Sequence, residues 1–178
     1  MAKKTKTGTP ALQALTQAGV DHRVHEYEHD PQSTGFGDES VAQLGLDPRR
    51  VFKTLLAEVE RTGRSELVVA IVPVAGQLDL KALAGAVGAK RAQMADPAAA
   101  ERATGYVVGG ISPFGQRQPH PTVLDASALD FTTVFVSAGR RGSQVELAPA
   151  DLMAQTQARL APIGRPSHQT KPTGPAPA

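Results

Sequence analysis

The sequence predicts one α/β domain in which a mixed sheet or small barrel is covered by short helices. Three observations carry this prediction. Apolar runs of strand length recur along the chain, capped segments of helix length lie between them, and 178 residues with 40% hydrophobic side chains suffice for one core but poorly for two.

Thr9-Pro10 opens the first helix, which carries Ala11, Leu12, Leu15 and Ala18 and stops at Gly19. Val20 to Tyr27 reads as a short strand, and His29-Asp30-Pro31 through Gly37 as a loop. Asp38 is placed to cap a second helix with Val41, Ala42 and Leu44, ended by Gly45, and Asp47-Pro48 makes a further turn. From Phe52 to Val59 the pattern alternates: Lys53, Leu55, Ala57 and Val59 share one face, and Phe52, Thr54, Leu56 and Glu58 the other. After a turn at Arg61-Thr62-Gly63-Arg64, Leu67 to Val74 is nearly continuous apolar sequence, as expected of a strand buried on both sides and paired with its predecessor in a hairpin.

Asp79 caps a helix through Val87, Ala89 to Met94 reads as a brief strand, and Asp96-Pro97 starts a helix that Gly105 ends. Next, a β-prone run, Tyr106-Val107-Val108, runs into Gly109, Gly110 and Pro113, a composition that exposes main-chain N–H groups and restrains the loop. An ordinary glycine-rich turn between strands fits the same residues. Pro121 to Asp125, Thr132 to Ser137 and Gln144 to Leu147 read as further strands, the last two joined by Ala138-Gly139-Arg140-Arg141-Gly142, and Pro149 to Leu160 as a closing helix. Residues 162–178 hold five prolines and almost no large apolar side chains. The domain is therefore expected over 1–161, with 162–178 a disordered tail.

The absence of cysteine removes disulfides, thiolate nucleophiles and Cys-ligated zinc. No run approaches ~18 apolar residues and the start does not resemble a signal peptide, so a soluble cytoplasmic protein is expected, with no membrane contact. A net charge of +2 permits a nucleic-acid partner without demanding one, and seven aromatic residues offer no evident stacking platform.

Lys53 is the chemically informative residue, because charging an ammonium on an apolar strand face is costly unless it is partnered or reaches water. It fits a Schiff-base nucleophile, a base, a cation that holds a carbonyl or phosphate, or simply a snorkelling surface lysine. His22, His25 and His29 lack a familiar metal-ligand spacing and read as solvent-facing. Ser112 lacks the spacing of a nucleophile elbow, and the glycine loop is not a P-loop. Arg140 and Arg141 suit either phosphate contact or a solvated turn.

Taken together, Tyr27-Glu28-His29-Asp30-Pro31, Phe36-Gly37-Asp38-Glu39, Val51-Phe52-Lys53-Thr54-Leu55, Met94-Ala95-Asp96, the Gly105 to Gly115 loop and Val136 to Gly142 resemble the YbaK-type aminoacyl-tRNA deacylases, free-standing bacterial enzymes that clear cysteine mischarged on proline tRNA. The resemblance spans residues 9 to 160. It implies a mixed, barrel-like sheet surrounded by helices, no metal or organic cofactor, a Cys-tRNA(Pro) substrate and prolyl-tRNA synthetase as a partner. It also implies that Lys53 is the indispensable side chain, that Gly109 and Pro113 mark the loop holding the aminoacyl end through backbone groups, and that Tyr27, Phe36, Thr54 and Ser137 line the pocket. Ser112 in the same loop is a further expected contact. Gln144 stands where some members carry Asp.

In such an enzyme the substrate's own thiol would attack the ester, with Gly109 and Gly110 N–H groups expected as oxyanion donors. A sibling activity that removes alanine with water, and a silent tRNA- or synthetase-binding module, remain as alternatives.

Overall fold

The computed structural model describes residues 8–166. Thr9 caps α1 (Pro10–Gln17), accepting from the Leu12 N–H at 3.3 Å, and buries Ala11 and Leu15. β1 (Arg23–Glu26) is shorter than predicted. α2 (Phe36–Leu44) starts before Asp38, which is therefore not its cap: Gly35 stands at the boundary, and Asp38 and Glu39 lie in the first turn, where acidic side chains suit the helix dipole. Left-handed Gly45 ends the helix as expected.

β2 (Phe52–Arg61) and β3 (Arg64–Pro73) form the predicted hairpin in unbroken antiparallel register. Three residues on, the chain makes a strand that sequence reading missed, β4 (Gly76–Leu78). Asp79 caps α3 (Leu80–Ala86), β5 (Arg91–Met94) follows, and Asp96 caps α4 (Pro97–Thr104), closed by left-handed Gly105. After β6 (Thr122–Asp125) come a 3-10 helix (Ala126–Asp130), β7 (Val134–Ser137), β8 (Ser143–Leu147) and α5 (Pro149–Thr156).

The closing helix stops four residues earlier than predicted, because Gln157 turns left-handed at φ 52° and frees β9 (Arg159–Ala161) to pair with β6. Nor does the fold end at 161. β10 (Gly164–Pro166) pairs with β4, Ile163 is fully buried, and the Asp125 carboxylate accepts from the Ile163 and Gly164 N–H groups at 2.9 and 2.8 Å. These backbone bonds explain why a proline-rich segment is held. The rest of the predicted tail, 167–178, lies outside the described residues.

A five-stranded sheet runs β5-β2-β3-β6-β9, with β3, β6 and β9 mutually parallel and the remainder antiparallel. A three-stranded sheet, β1-β8-β7, joins it where Val51 bridges Phe135. The sheet is thus mixed, with β5 and β9 at its edges. Alternation along β2 and β3 feeds two cores. Phe52, Leu56, Val69 and Ile71 pack with α1, α4, α5 and the small sheet, whereas Ala57, Val59, Val68, Ala70 and Val72 pack under α3.

Candidate active site

β5 pairs with β2 from Ala57 to Glu60, and β7 meets the chain just ahead of β2 at the Val51–Phe135 bridge. Between these contacts, residues 52–56 border a cavity of about 400 Å³. Because the cavity lies over a strand edge, residues from both faces reach it: Lys53 from one side, and Thr54 from the other. The first turn of α2 supplies Phe36 and Asp38, and the loop after α4 supplies Gly109 and Ile111. Ser137 and Gln144, cross-strand partners on β7 and β8, close another wall.

Lys53 is half-buried, and its Nζ donates to the Gly76 carbonyl of β4 at 3.0 Å. Burial pushes its pKa below the ordinary lysine value, and the Asp38 carboxylate acts in the opposite sense. Asp38 lines the cavity too, although the sequence marks it only as a helix cap and as part of the Phe36 to Glu39 motif. Gly76 carried no signal, since its part is played by a main-chain oxygen.

The glycine loop is not entered by a strand. Tyr106 turns inward, burial pushes its pKa up to about 12, and its hydroxyl donates to the Phe114 carbonyl at 2.6 Å. Beyond it, Gly109 takes φ +88°, and a Cβ there would lie 2.6 Å from the Phe36 ring. Arg141 fixes the same turn by donating to the Val108 carbonyl at 2.9 and 2.7 Å while lying 4.7 Å over Phe36. Neither turn arginine stands free, since Arg140 pairs with Glu26.

Six predicted site residues line the cavity: Lys53, Thr54, Phe36, Gly109, Ser137 and Gln144. Four others do not. Gly110 spends its N–H on the Val107 carbonyl at 2.9 Å, which removes it as an oxyanion donor. Ser112 is fully buried and accepts from the Phe114 N–H, and Pro113 is buried within the loop. Tyr27 is half-buried and is not part of the cavity lining. Burial and the Glu39 charge raise the Tyr27 pKa, against hydrogen bonds that lower it.

His22, His25 and His29 are half-buried rather than solvent-facing. His22 bonds the Val20 carbonyl, His25 pairs with Glu146, and His29 with Glu39. Among the described residues, no three His, Asp or Glu side chains gather as a metal site. A second hollow, about 620 Å³, is bordered by Gly76 of β4 and Gly164 of β10 and contains none of the predicted site residues.

Fold and cavity together define a class: α/β domains whose pocket is built from a strand lysine facing a glycine-rich turn. The chain belongs to the aminoacyl-tRNA editing domain family, whose profile matches residues 32–154. It is 40% identical over 162 residues to an Enterococcus faecalis protein described as a candidate Cys-tRNA(Pro)/Cys-tRNA(Cys) deacylase, EbsC, covering 90% of this chain and 96% of that one. It is 30% identical over 161 residues to the Escherichia coli multifunctional Ser/Thr-tRNA deacylase ProXp-y, covering 90% and 94%. A crystal structure described as a candidate trans-editing enzyme for prolyl-tRNA synthetase superposes with a TM-score of 0.75 at 25% identity, over 88% of this chain and 95% of that one. The hypothetical protein APE2540 shares the fold, at a TM-score of 0.76 and 21% identity over 88% and 99%. No helix among the described residues is long and apolar enough to cross a membrane.

Proposed function

We propose that this protein is a deacylase that releases cysteine from mischarged Cys-tRNA(Pro). The observation that carries the reading is that Lys53 and the Gly109 turn border one cavity whose lining includes no histidine and no cysteine. Such a pocket is suited to positioning and charge stabilisation rather than to nucleophilic attack by a His-activated side chain.

For a cysteinyl ester the nucleophile comes with the substrate. The Cys sulfur attacks its own ester carbonyl, the bond to the ribose oxygen breaks, and the thiol proton ends on the released hydroxyl of the terminal adenosine. The cyclic thioester so formed then takes up water to give cysteine. The chain's part is to hold sulfur and carbonyl in near-attack geometry. Gly109 and Ile111, whose N–H groups have no partner among the described residues, supply the oxyanion donors in place of Gly110. Lys53 anchors the aminoacyl carbonyl or the terminal adenosine, and adds positive charge where the oxyanion develops. The similarity to EbsC supports cysteine as the amino acid, and the neighbour described with prolyl-tRNA synthetase supports that enzyme as a partner.

The similarity to ProXp-y favours a second reading, water attacking Ser- or Thr-tRNA. A panel of Cys-, Ser-, Thr- and Ala-tRNA(Pro), run on wild type and Lys53→Ala, separates the two. Cys-tRNA is expected to react far faster than the others, and Lys53→Ala to lose about 10²–10³ in rate with its fold intact. Equal rates across the panel would replace the substrate thiol by an activated water, and an unimpaired Lys53→Ala would remove the site.

A further inference from the structure

Arg141 is exposed and lies outside the cavity, yet its guanidinium places two N–H groups, at 2.9 and 2.7 Å, on one main-chain oxygen of the loop that borders it. Its neighbour Arg140 pairs with a carboxylate in the ordinary way, whereas Arg141 makes no ion pair among the described residues. The oxygen it holds, that of Val108, belongs to the peptide unit that carries the Gly109 N–H. That unit is trans and planar, so its N–H points opposite to its C=O. Fixing the carbonyl towards Arg141, on the solvent side of the loop, fixes the N–H in the opposite direction, and Gly109 is a cavity residue. The flanking amides are occupied: the Val108 N–H donates to Glu101 at 2.9 Å, and the Gly110 N–H to the Val107 carbonyl at 2.9 Å. The Gly109 N–H is what this clamp leaves over.

A charged donor on a carbonyl also draws electron density along the amide and strengthens the N–H at its other end as a donor. Resting on the deacylase reading above, we infer that Arg141 is a positioning residue for the oxyanion: from outside the pocket, its guanidinium fork sets the direction and the strength of the Gly109 N–H. The Phe36 ring, 4.7 Å beneath, keeps the guanidinium in place. Arg141 touches no reacting atom. Its effect belongs to the transition state, where negative charge gathers on the ester oxygen, and not to the ground-state binding of tRNA. A lysine could not replace it, because an ammonium lacks the rigid fork that sets two N–H groups on one oxygen.

The test measures kcat and KM for Cys-tRNA(Pro) separately, at low and at high salt, in wild type, Arg141→Ala and Arg141→Lys. Arg141→Ala is expected to lose about tenfold to a hundredfold in kcat, less than deletion of an oxyanion donor because the N–H itself remains, with KM and its salt dependence within about twofold of wild type. Arg141→Lys keeps the charge without the fork, and is expected to lose about threefold to tenfold in kcat. A phosphate contact would give the opposite split: a raised KM with a weaker salt dependence in Arg141→Ala, an untouched kcat, and a lysine that substitutes well. That split, or a wild-type kcat in either variant, would overturn the positioning role while leaving the deacylase in place. The Gly109 amide in the substrate-free protein supplies a readout independent of turnover. Its nitrogen resonance is expected to move upfield in Arg141→Lys as the preceding carbonyl loses its paired donors, with the amides of the β2–β3 hairpin unmoved, and an unshifted Gly109 signal would also overturn the role. No acceleration of the cysteinyl ester by wild type would instead remove the deacylase reading on which the inference rests.

Discussion

Lys53 ties chemistry to pH. Because burial lowers its pKa, the ammonium is lost at a pH below the ordinary 10.5 of a lysine, so enzyme-dependent deacylation should fall on the alkaline side earlier than a free lysine would dictate. Under the proposed reading, the thiol of a cysteinyl ester, with an ordinary pKa of about 8.5, gives the rising limb if its thiolate attacks. Rates corrected for spontaneous hydrolysis should therefore trace a bell, and the residual activity of Lys53→Arg should lose the alkaline fall, since a guanidinium keeps its proton. A falling limb unchanged in the arginine variant would assign it to another group. Gly109 sets geometry instead. Alanine there meets the Phe36 ring at 2.6 Å and a backbone at φ +88°, so Gly109→Ala is expected to cost about 1–3 kcal/mol in thermal or denaturant unfolding and at least tenfold in rate. An active, equally stable alanine variant would mean that the turn relaxes freely.

At the scale of elements, what sequence made legible was what local chemistry decides. Thr9, Asp79 and Asp96 announce helices because each caps its own first turn, and the alternation of β2 beside the apolar run of β3 specifies a hairpin buried on both faces. What failed depends on distant partners. Nothing near Tyr106 says that its hydroxyl will reach Phe114 and keep the run from becoming a strand. Nothing near Arg159 says that β6 offers an open edge, or that Asp125 will hold residues 163 and 164. The candidate site divides in the same way. Lys53 and Gly109 are visible as residue types in telling contexts, whereas Asp38 and Gly76 join the site only through tertiary packing. Asp125 is the element-scale test. Its carboxylate also accepts from the Ser127 N–H at 3.2 Å, so Asp125→Ala orphans several N–H groups, including that of fully buried Ile163. A loss of about 3 kcal/mol in chemical denaturation is expected, and a loss near zero would mean that β10 holds without its anchor.

The whole molecule is mildly basic, with a net charge of +2. Attraction to a polyanionic tRNA should therefore act on encounter and leave the chemical step alone: raising salt is expected to raise KM for Cys-tRNA and to leave kcat within about twofold. A kcat that collapses with salt would place an ion pair in the rate-limiting step. The fold class was legible at this scale because strand and helix signals agree along the chain, while closure was not: two sheets meet at the Val51–Phe135 bridge and the open gap beside it is the cavity. The contact between Lys53 and the Gly76 carbonyl has a consequence in time. Among the described residues β4 pairs with β10 alone, about ninety positions later in the order in which a ribosome adds residues. A nascent copy halted before Pro166 has emerged would carry the lysine without the strand pair that steadies its anchor, so competence should arrive late in synthesis, when the rest of the domain has already been made.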